Sequence, residues 1–192
     1  MIRCMQAVEP SSHRPAEGVI RYSVEFSPMA APSFQAGRPL PAAVEVLRVV
    51  ERALKESRAV ETESLCIVAG EKVWAVRVDI SVLDHCGNIA DAVAFAALAS
   101  LLHFRKPHVE VIGSEVTIHT LQSHAPDALS VHHRPVCVSF AFVGEGAETA
   151  AVDPSLVEEE VAVGSLTMAL NVHRELCAVS PLSRPRCARA LV

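Results

Sequence analysis

From Val73 to Leu83 the chain reads VWAVRVDISVL, with Trp74, Val76, Val78, Ile80 and Val82 on one parity and Arg77, Asp79 and Ser81 on the other. Alternation with a period of two over so long a run predicts a pleated strand with one dry face. A slip of one residue would turn every apolar side chain out to water, so the register is strongly specified. The feature commits the chain to a sheet, and the rest of the sequence must supply neighbouring strands and a layer that covers the apolar side.

Neighbours are present on both sides. SLCIVAGEKVWAVRVDISVLD (64–84) predicts a hairpin, with a first strand over Leu65–Ala69 and a turn at Gly70-Glu71-Lys72. GVIRYSVEFS (18–27) alternates as well and predicts a strand with one wet face. Downstream, VEVIGSEVTIHTL (109–121) predicts a second hairpin, PVCVSFAFV (135–143) and TAAVDP two further strands, VEEEVA a short polar piece, and SLTMALNVHRELCAVS (165–180) one long strand.

The covering layer is helical. In PAAVEVLRVVERALKES (41–57), Ala43, Val46, Leu47, Val50, Ala53 and Leu54 fall at helical spacing. Pro41 suits the first turn, and Glu51 and Lys55 form an i,i+4 pair. Ala90 to Leu102 predicts a buried helix, shorter than a bilayer and ending at His103-Phe-Arg-Lys-Pro107. PMAAPSFQAGRPLP (28–41) reads as a loop, and residues 1–17 as irregular, with Pro10 and Pro15 close together. The order strands, helix, strands, helix, strands is α+β rather than a repeating βα unit.

The composition bounds the function. The chain has 192 residues, 51% hydrophobic and 20% charged, enough for one domain with a real core. A formal net charge of −5 counts against a stand-alone nucleic-acid binder, though not against a subunit that contributes a local basic patch. Six cysteines without a CxxC pair read as free thiols in a reducing compartment, and no signal peptide is visible at MIRCMQAVEP.

Between strand and helix stands DHCGNIAD (84–91). A glycine turn opening a helix is a common phosphate cradle, since backbone N–H groups converge there. Gly87 permits the turn and Asn88 tolerates an unusual backbone angle. But Ile89 and Ala90 donate nothing from their side chains, and Asp91 repels an anion while answering the helix dipole. A structural turn is the better reading. The acids Asp153, Glu158, Glu159 and Glu160 suit a solvated face better than a metal site. The histidines look scattered: His132 and His133 point to opposite faces, and His85-Cys86 lacks a second ligand pair at zinc spacing. Neither a metal nor a cofactor is expected. Arg105, Lys106 and His108 at a helix end, with Arg38 and Arg134, are candidate contacts to RNA phosphate, or equally helix caps and subunit ion pairs.

Taken in order, EGVIRYSVEFSPMAAPSFQAGRP, ERALKESRAVETESLCIVAGEKVWAVRVDISVLDHCGN, AALASLLHFRKPHV, HHRPVCVSFAF and GSLTMALNVHRELCAV resemble the RNase PH family, and within it the ring subunits of the eukaryotic RNA exosome. The resemblance covers roughly residues 14 to 178. It implies a fold like the second domain of ribosomal protein S5. It implies a seat among other RNase PH-like subunits in a six-membered ring, with cap subunits and RNA threaded for 3′→5′ decay and processing. It also implies residence in nucleus, nucleolus and cytoplasm, away from membranes. In phosphorolytic members a Thr-Arg pair grips phosphate where Ile89 and Ala90 stand here, so Gly87, Asn88, Ile89 and Ala90 are a remnant not expected to bind. Catalytic acids of such members fall near Glu159 and near Gly164-Ser165, and the second position has no carboxylate. The resemblance therefore implies a non-catalytic, structural member; the alternative is an active phosphate-dependent 3′→5′ exoribonuclease. Against the family pattern, opening strands are missing before about residue 14, and the closing strand pair and C-terminal helix give way to SPLSRPRCARALV. The expected organisation is thus an irregular stretch over 1–13, a partial RNase PH-like domain over 14–180 incomplete at both ends, and a divergent tail over 181–192.

Overall fold

A computed structural model describes residues 2–34, 40–112, 115–119, 123–144 and 149–182. The elements run β1 (Ile2–Val8), β2 (Val19–Phe26), α1 (Pro41–Val50), β3 (Cys66–Val68), β4 (Lys72–Val82), α2 (Ile89–His103), β5 (Arg105–Lys106), β6 (Val109–Ile112), β7 (Glu115–Ile118), β8 (Asp127–Ala128), β9 (Val136–Val143), β10 (Thr149–Val152), α3 (Leu156–Val161), β11 (Gly164–Leu170) and β12 (Leu176–Leu182). Helix α1 continues through a π-helical turn over Glu51–Glu56, which completes the helix predicted for 41–57.

The long alternating strand is the centre of the first sheet. β4 pairs antiparallel with β1 and parallel with β2, and β3 pairs with its first residues. Its apolar parity goes inside: Trp74, Val76, Val78 and Ile80 are buried, together with Val73. Ile20 and Tyr22 of β2 join them. Helices α1 and α2 lie on this face, and the second sheet, in the order β10-β9-β11-β12, closes over α2. Helix α2 is thus apolar on two sides because it is covered by two sheets, through Ala90, Val93, Ala94, Ala97, Leu98 and Leu101. Its remaining stripe is open, and Phe95 is 68% exposed, so the helix predicted as buried is a sandwiched one with a bare edge.

The second sheet uses only one of its faces. Cys137, Ser139 and Ala141 of β9 are buried, while the alternating Val136, Val138, Phe140 and Phe142 take the other side. Across the ladder those four pair with Leu170, Met168, Leu166 and Gly164. The outward face is therefore apolar, with Val136 51%, Val152 59% and Leu176 56% exposed.

Three expectations change. Residues 1–17 are not irregular throughout: Ile2–Val8 is a full strand, from Val8↔Val73 to Ile2↔Val78 on β4, so the region before residue 14 does contain a sheet strand. The backbone of β4 has a free ladder edge there, and pairing it satisfies hydrogen bonds that no single-strand pattern in the sequence announces. The stretch 165–180 is a hairpin, not one strand. Glu175 N–H donates to Asn171 Oδ1 at 2.9 Å and Asn171 Nδ2 donates to Glu175 Oε2 at 2.7 Å, with Arg174 at φ 63. The strand pair β11–β12 follows, closing the sheet through Leu182. Finally, the polar piece VEEEVA lies in helix α3, started by a capping box in which Ser155 and Glu158 satisfy each other's backbone. The tail from residue 183 onward and Arg38 lie outside the described residues.

Candidate functional site

The turn 84–88 leaves β4 and enters α2. Gly87 has φ +111, a backbone region that L side chains avoid, and its missing Cβ lets another loop come down on it. That loop is Pro154–Leu156: Gly87 bridges Ser155, and Leu156 N–H donates to Cys86 O at 3.0 Å. The contact brings the start of α3 onto the start of α2.

Asn88 is the hub of what results. It sits in the left-handed region at φ 43, ψ 48 and is buried. Its backbone N–H donates to Glu159 Oε1 at 2.8 Å. Its side-chain amide donates to Asp91 Oδ2 at 2.9 Å and to Asp153 Oδ1 at 2.6 Å. All three donors of one residue thus end on carboxylates, from the first turn of α2, the loop before α3, and α3 itself. Asn88 Oδ1 is buried without a hydrogen-bond partner. Asp91 carries the network into the second sheet, accepting from Ser139 N–H at 2.8 Å and from Ser139 Oγ at 2.7 Å. Since the Ser139 hydroxyl proton is spent on Asp91, Thr167 Oγ1 donates to Ser139 Oγ at 2.7 Å.

A cavity of about 240 Å³ opens beside this network, with Phe34, His85, Ile89, Ala90, Glu159 and Ser165 in its lining. The Phe34 ring lies 4.9 Å from that of Phe26 and 5.7 Å from that of His85, centroid to centroid. The fold therefore gathers Ile89, Ala90, Glu159 and Ser165, which the sequence separates by up to 76 residues, as 165 − 89. Ala90 is buried and Ile89 half-buried. Burial pushes the Cys137 thiol up to about 12, with lesser contributions from the Asp91 carboxylate and Cys177.

The basic residues singled out in the sequence sit elsewhere. Arg105 and Lys106 follow the C-terminal end of α2, about 20 Å from its start for a helix of 15 residues. Arg105 Nη1 donates to Leu102 O and to Phe104 O, each at 3.0 Å, and its residue stays exposed; Lys106 Nζ donates to Ser64 O at 2.7 Å. Both cations hold backbone carbonyls, Arg105 at the end of α2 and Lys106 in the turn ahead of β3. Of the histidine pair, His133 Nε2 bonds Ser57 O at 2.9 Å and His132 is exposed. The acids do not act as one cluster: Glu158 caps α3, while Asp153 and Glu159 bind Asn88. No sequence signal joins Asn88 to Asp153 or Glu159, because those hydrogen bonds cross 65 and 71 residues.

A family model described as 3′ exoribonuclease family, domain 1, matches residues 2–107, and one described as domain 2 of the same family matches residues 133–182. The chain is similar to exosome complex component RRP45 of Bos taurus, 49% identical over 174 residues that cover 91% of this chain and 39% of that protein. It is 48% identical over 174 residues to RRP45 of Homo sapiens, again 91% and 39%, and 46% identical over 177 residues to RRP45B of Arabidopsis thaliana, 91% and 40%. The chain thus spans about two fifths of the length of these relatives, 39–40%. Among solved structures it superimposes on a chain of the Archaeoglobus fulgidus exosome with RNA bound to the active site, with a TM-score of 0.79 and 35% identity, over 93% of this chain and 65% of that one. A chain of an archaeal exosome core gives a TM-score of 0.71 and 32% identity, over 93% and 62%. The two family matches take in both four-stranded sheets and both long helices, and on that basis the chain belongs to the 3′ exoribonuclease family, the RNase PH family.

Proposed function

We propose that this chain is a structural, non-catalytic subunit of an exosome-type RNase PH ring, which supports 3′→5′ RNA processing and decay without cleaving RNA itself. The observation that carries the reading is the hydrocarbon of Ile89 and Ala90 in the cavity at the start of α2; beside it, Glu159 Oε1 accepts from Asn88 N–H at 2.8 Å. An inorganic phosphate held at the start of α2 would need that donor, and the chain's own carboxylate has it. Asp91 and Asp153 stand on the same residue. A unit negative charge about 5 Å from one carboxylate costs about 3 kcal/mol at an effective dielectric near 20. The helix dipole returns only about 0.3–2 kcal/mol, so three carboxylates outweigh it. Ile89 and Ala90 add hydrocarbon where a hydroxyl and a cation would be needed.

The apolar outward face of the second sheet supports work in an assembly rather than alone, because an uncovered face of this kind invites association. RNA is then met through the assembled ring. Nucleus, nucleolus and cytoplasm are the compartments proposed with it, to be checked by imaging the tagged chain.

The test is direct. Purified chain is incubated with RNA and inorganic phosphate, and nucleoside diphosphates are measured. No release is expected, and none from Ile89→Thr with Ala90→Arg, since the acid near Ser165 is still lacking. Phosphate-dependent release by the unaltered chain would establish the alternative, an active phosphorolytic exoribonuclease. Tagged chain should also co-purify with RNase PH-like subunits by mass spectrometry; isolation free of them would remove the ring assignment.

A further inference from the structure

The side-chain amide of Asn88 has two branches, and hydrogen bonds use only one of them. Its Nδ2 donates to Asp91 and Asp153, which line a hollow beside Phe95 and not the cavity at the start of α2. Its Oδ1 is buried with no hydrogen-bond partner, in a residue 8% exposed. An amide oxygen points away from its nitrogen, and Asn88 lines the cavity of about 240 Å³ as well, so the unpaired acceptor belongs to the cavity side. A buried lone pair without a partner is destabilising, and a ligand that brings a donor relieves it.

The rest of the lining selects the kind of donor. Glu45 and Glu159 put carboxylates on the cavity, and no lysine or arginine lines it. Among the described residues no cation lies within ion-pair distance of Glu159. His85 Nδ1 accepts from Gly87 N–H at 3.3 Å, so the ring holds its proton on Nε2 and carries no charge to oppose a cation. That ring stacks on Phe34 with an interplanar angle of 23°. Carboxylates beside aromatic faces attract a cation. A guanidinium suits them better than an ammonium, because it is planar, stacks on rings, and offers five donors and no acceptor. We propose that this cavity binds the guanidinium group of an alkylguanidine such as an arginine side chain, with Glu159 as counter-ion, Phe34 and His85 as the stacking surface, and Asn88 Oδ1 as the acceptor it satisfies.

Size and charge agree. A volume of about 240 Å³ falls below the roughly 300–1,000 Å³ of sites that enclose a whole small molecule, so the cavity takes the end of a side chain and not a nucleotide. The dipole of α2 opposes a cation at its start, but by less than one carboxylate in contact attracts it. Three carboxylates already meet on Asn88. Ile89 and Phe26 supply hydrocarbon for an alkyl stem to lie on. The inference rests on the proposed loss of phosphate binding, since the carboxylates that exclude an anion are the ones a cation requires.

The experiment follows backbone amide NMR shifts of the isotope-labelled full chain, titrated separately with methylguanidinium chloride, its neutral isostere methylurea, methylammonium chloride, inorganic phosphate and the peptide acetyl-Gly-Arg-Gly-amide. Methylguanidinium should move the Asn88 and Ala90 amides with a Kd on the order of 1 mM, as suits so small a ligand. Methylurea should not move them, and methylammonium should bind at least roughly threefold more weakly. Glu159→Gln, which keeps an acceptor for Asn88 N–H, should weaken binding at least roughly tenfold, and Phe34→Leu roughly threefold. Glu160→Gln, the same charge change one residue along α3, should leave it unchanged. Tighter binding of the peptide than of methylguanidinium assigns the cavity to an arginine of a protein segment, and equal binding to a free guanidine. No shift with either guanidinium, equal shifts with methylurea, or equal weakening in Glu159→Gln and Glu160→Gln would each overturn the site. The phosphate arm separates the two readings: silence with both guanidinium and phosphate removes this site and leaves the non-catalytic subunit standing, whereas phosphate shifts at Asn88 remove both. The titrations of the unaltered chain decide even where a variant fails to fold.

Discussion

Gly87 offers a sharp test of how the site is built. Gly87→Ala incurs two costs. At φ +111 a side chain is strained by about 1–2 kcal/mol, partly offset by about 0.4–1 kcal/mol from a stiffer unfolded chain. The second cost is contact: an added Cβ would stand 2.5 Å from Pro154 O, 2.6 Å from Leu156 N and 2.6 Å from Ser155 C. All three are backbone atoms, so no rotamer relieves them. The loop must retreat, giving up the bond from Leu156 N–H to Cys86 O, and with it the grip of Glu159 on Asn88. Those bonds are worth about 1 kcal/mol and, for the charged acceptor, about 1.5–3 kcal/mol. The sum is about 3–5 kcal/mol. Gly70 is the control, because it has φ +82 but no atom within 4 Å of a built Cβ. Gly70→Ala should cost only the backbone part, about 0.5–1.5 kcal/mol. At roughly 2–4 °C per kcal/mol for a chain of this size, thermal unfolding should fall by about 1–6 °C for Gly70→Ala and about 6–20 °C for Gly87→Ala. Calorimetry of the two variants beside the unaltered chain reads the difference. A Gly87→Ala melting temperature no lower than that of Gly70→Ala would refute the close approach of the Pro154–Leu156 loop.

Trp74→Ala should cost about 3–5 kcal/mol, since the ring is 5% exposed in the core between sheet and helices; an unchanged urea midpoint would place it at the surface. Cys137, raised from 9.0 to about 12, favours the folded state while the thiol is protonated. That contribution is whole below about pH 9 and lost as pH climbs toward 12, so urea stability should decline over that window, less steeply in Cys137→Ala. Iodoacetamide at mildly alkaline pH should label the exposed Cys86 and spare Cys137 until the chain is unfolded; equal labelling would contradict its burial. Glu158 is held below the ordinary 4.5 by the Ser155 N–H first and its hydroxyl second. Its help to α3 is present above 4.5 and disappears as pH falls through the lowered value, and NMR titration of Ser155→Ala should show the carboxyl moving back up. An unmoved titration would mean the capping box is not formed.

How much of this was legible before folding depended on the range of the interaction. The strand parity of Trp74, Val76, Val78, Ile80 and Val82, the long helices α1 and α2, and the two hairpins 64–84 and 109–121 were all readable, because each is a pattern among near neighbours. The β11–β12 hairpin was missed because its turn, Asn171 to Glu175, has neither glycine nor proline and is clamped by side chains instead. The strand Ile2–Val8 was missed because a pair of prolines just downstream resembled loop, and only its pairing with β4 makes it a strand.

The sequence by itself determined the two long helices, the dry face of β4 and the absence of a hydroxyl or a cation from the side chains of Ile89 and Ala90, since these follow from local geometry and side-chain chemistry. Only the tertiary structure decided what fills the start of α2. Asn88 gains Glu159 and Asp153 across 71 and 65 residues because Gly87 has no Cβ to keep their loop away. A turn that looked merely empty of phosphate ligands is closed by the chain's own carboxylates, and that is a property of two distant segments in contact, which neither segment carries alone.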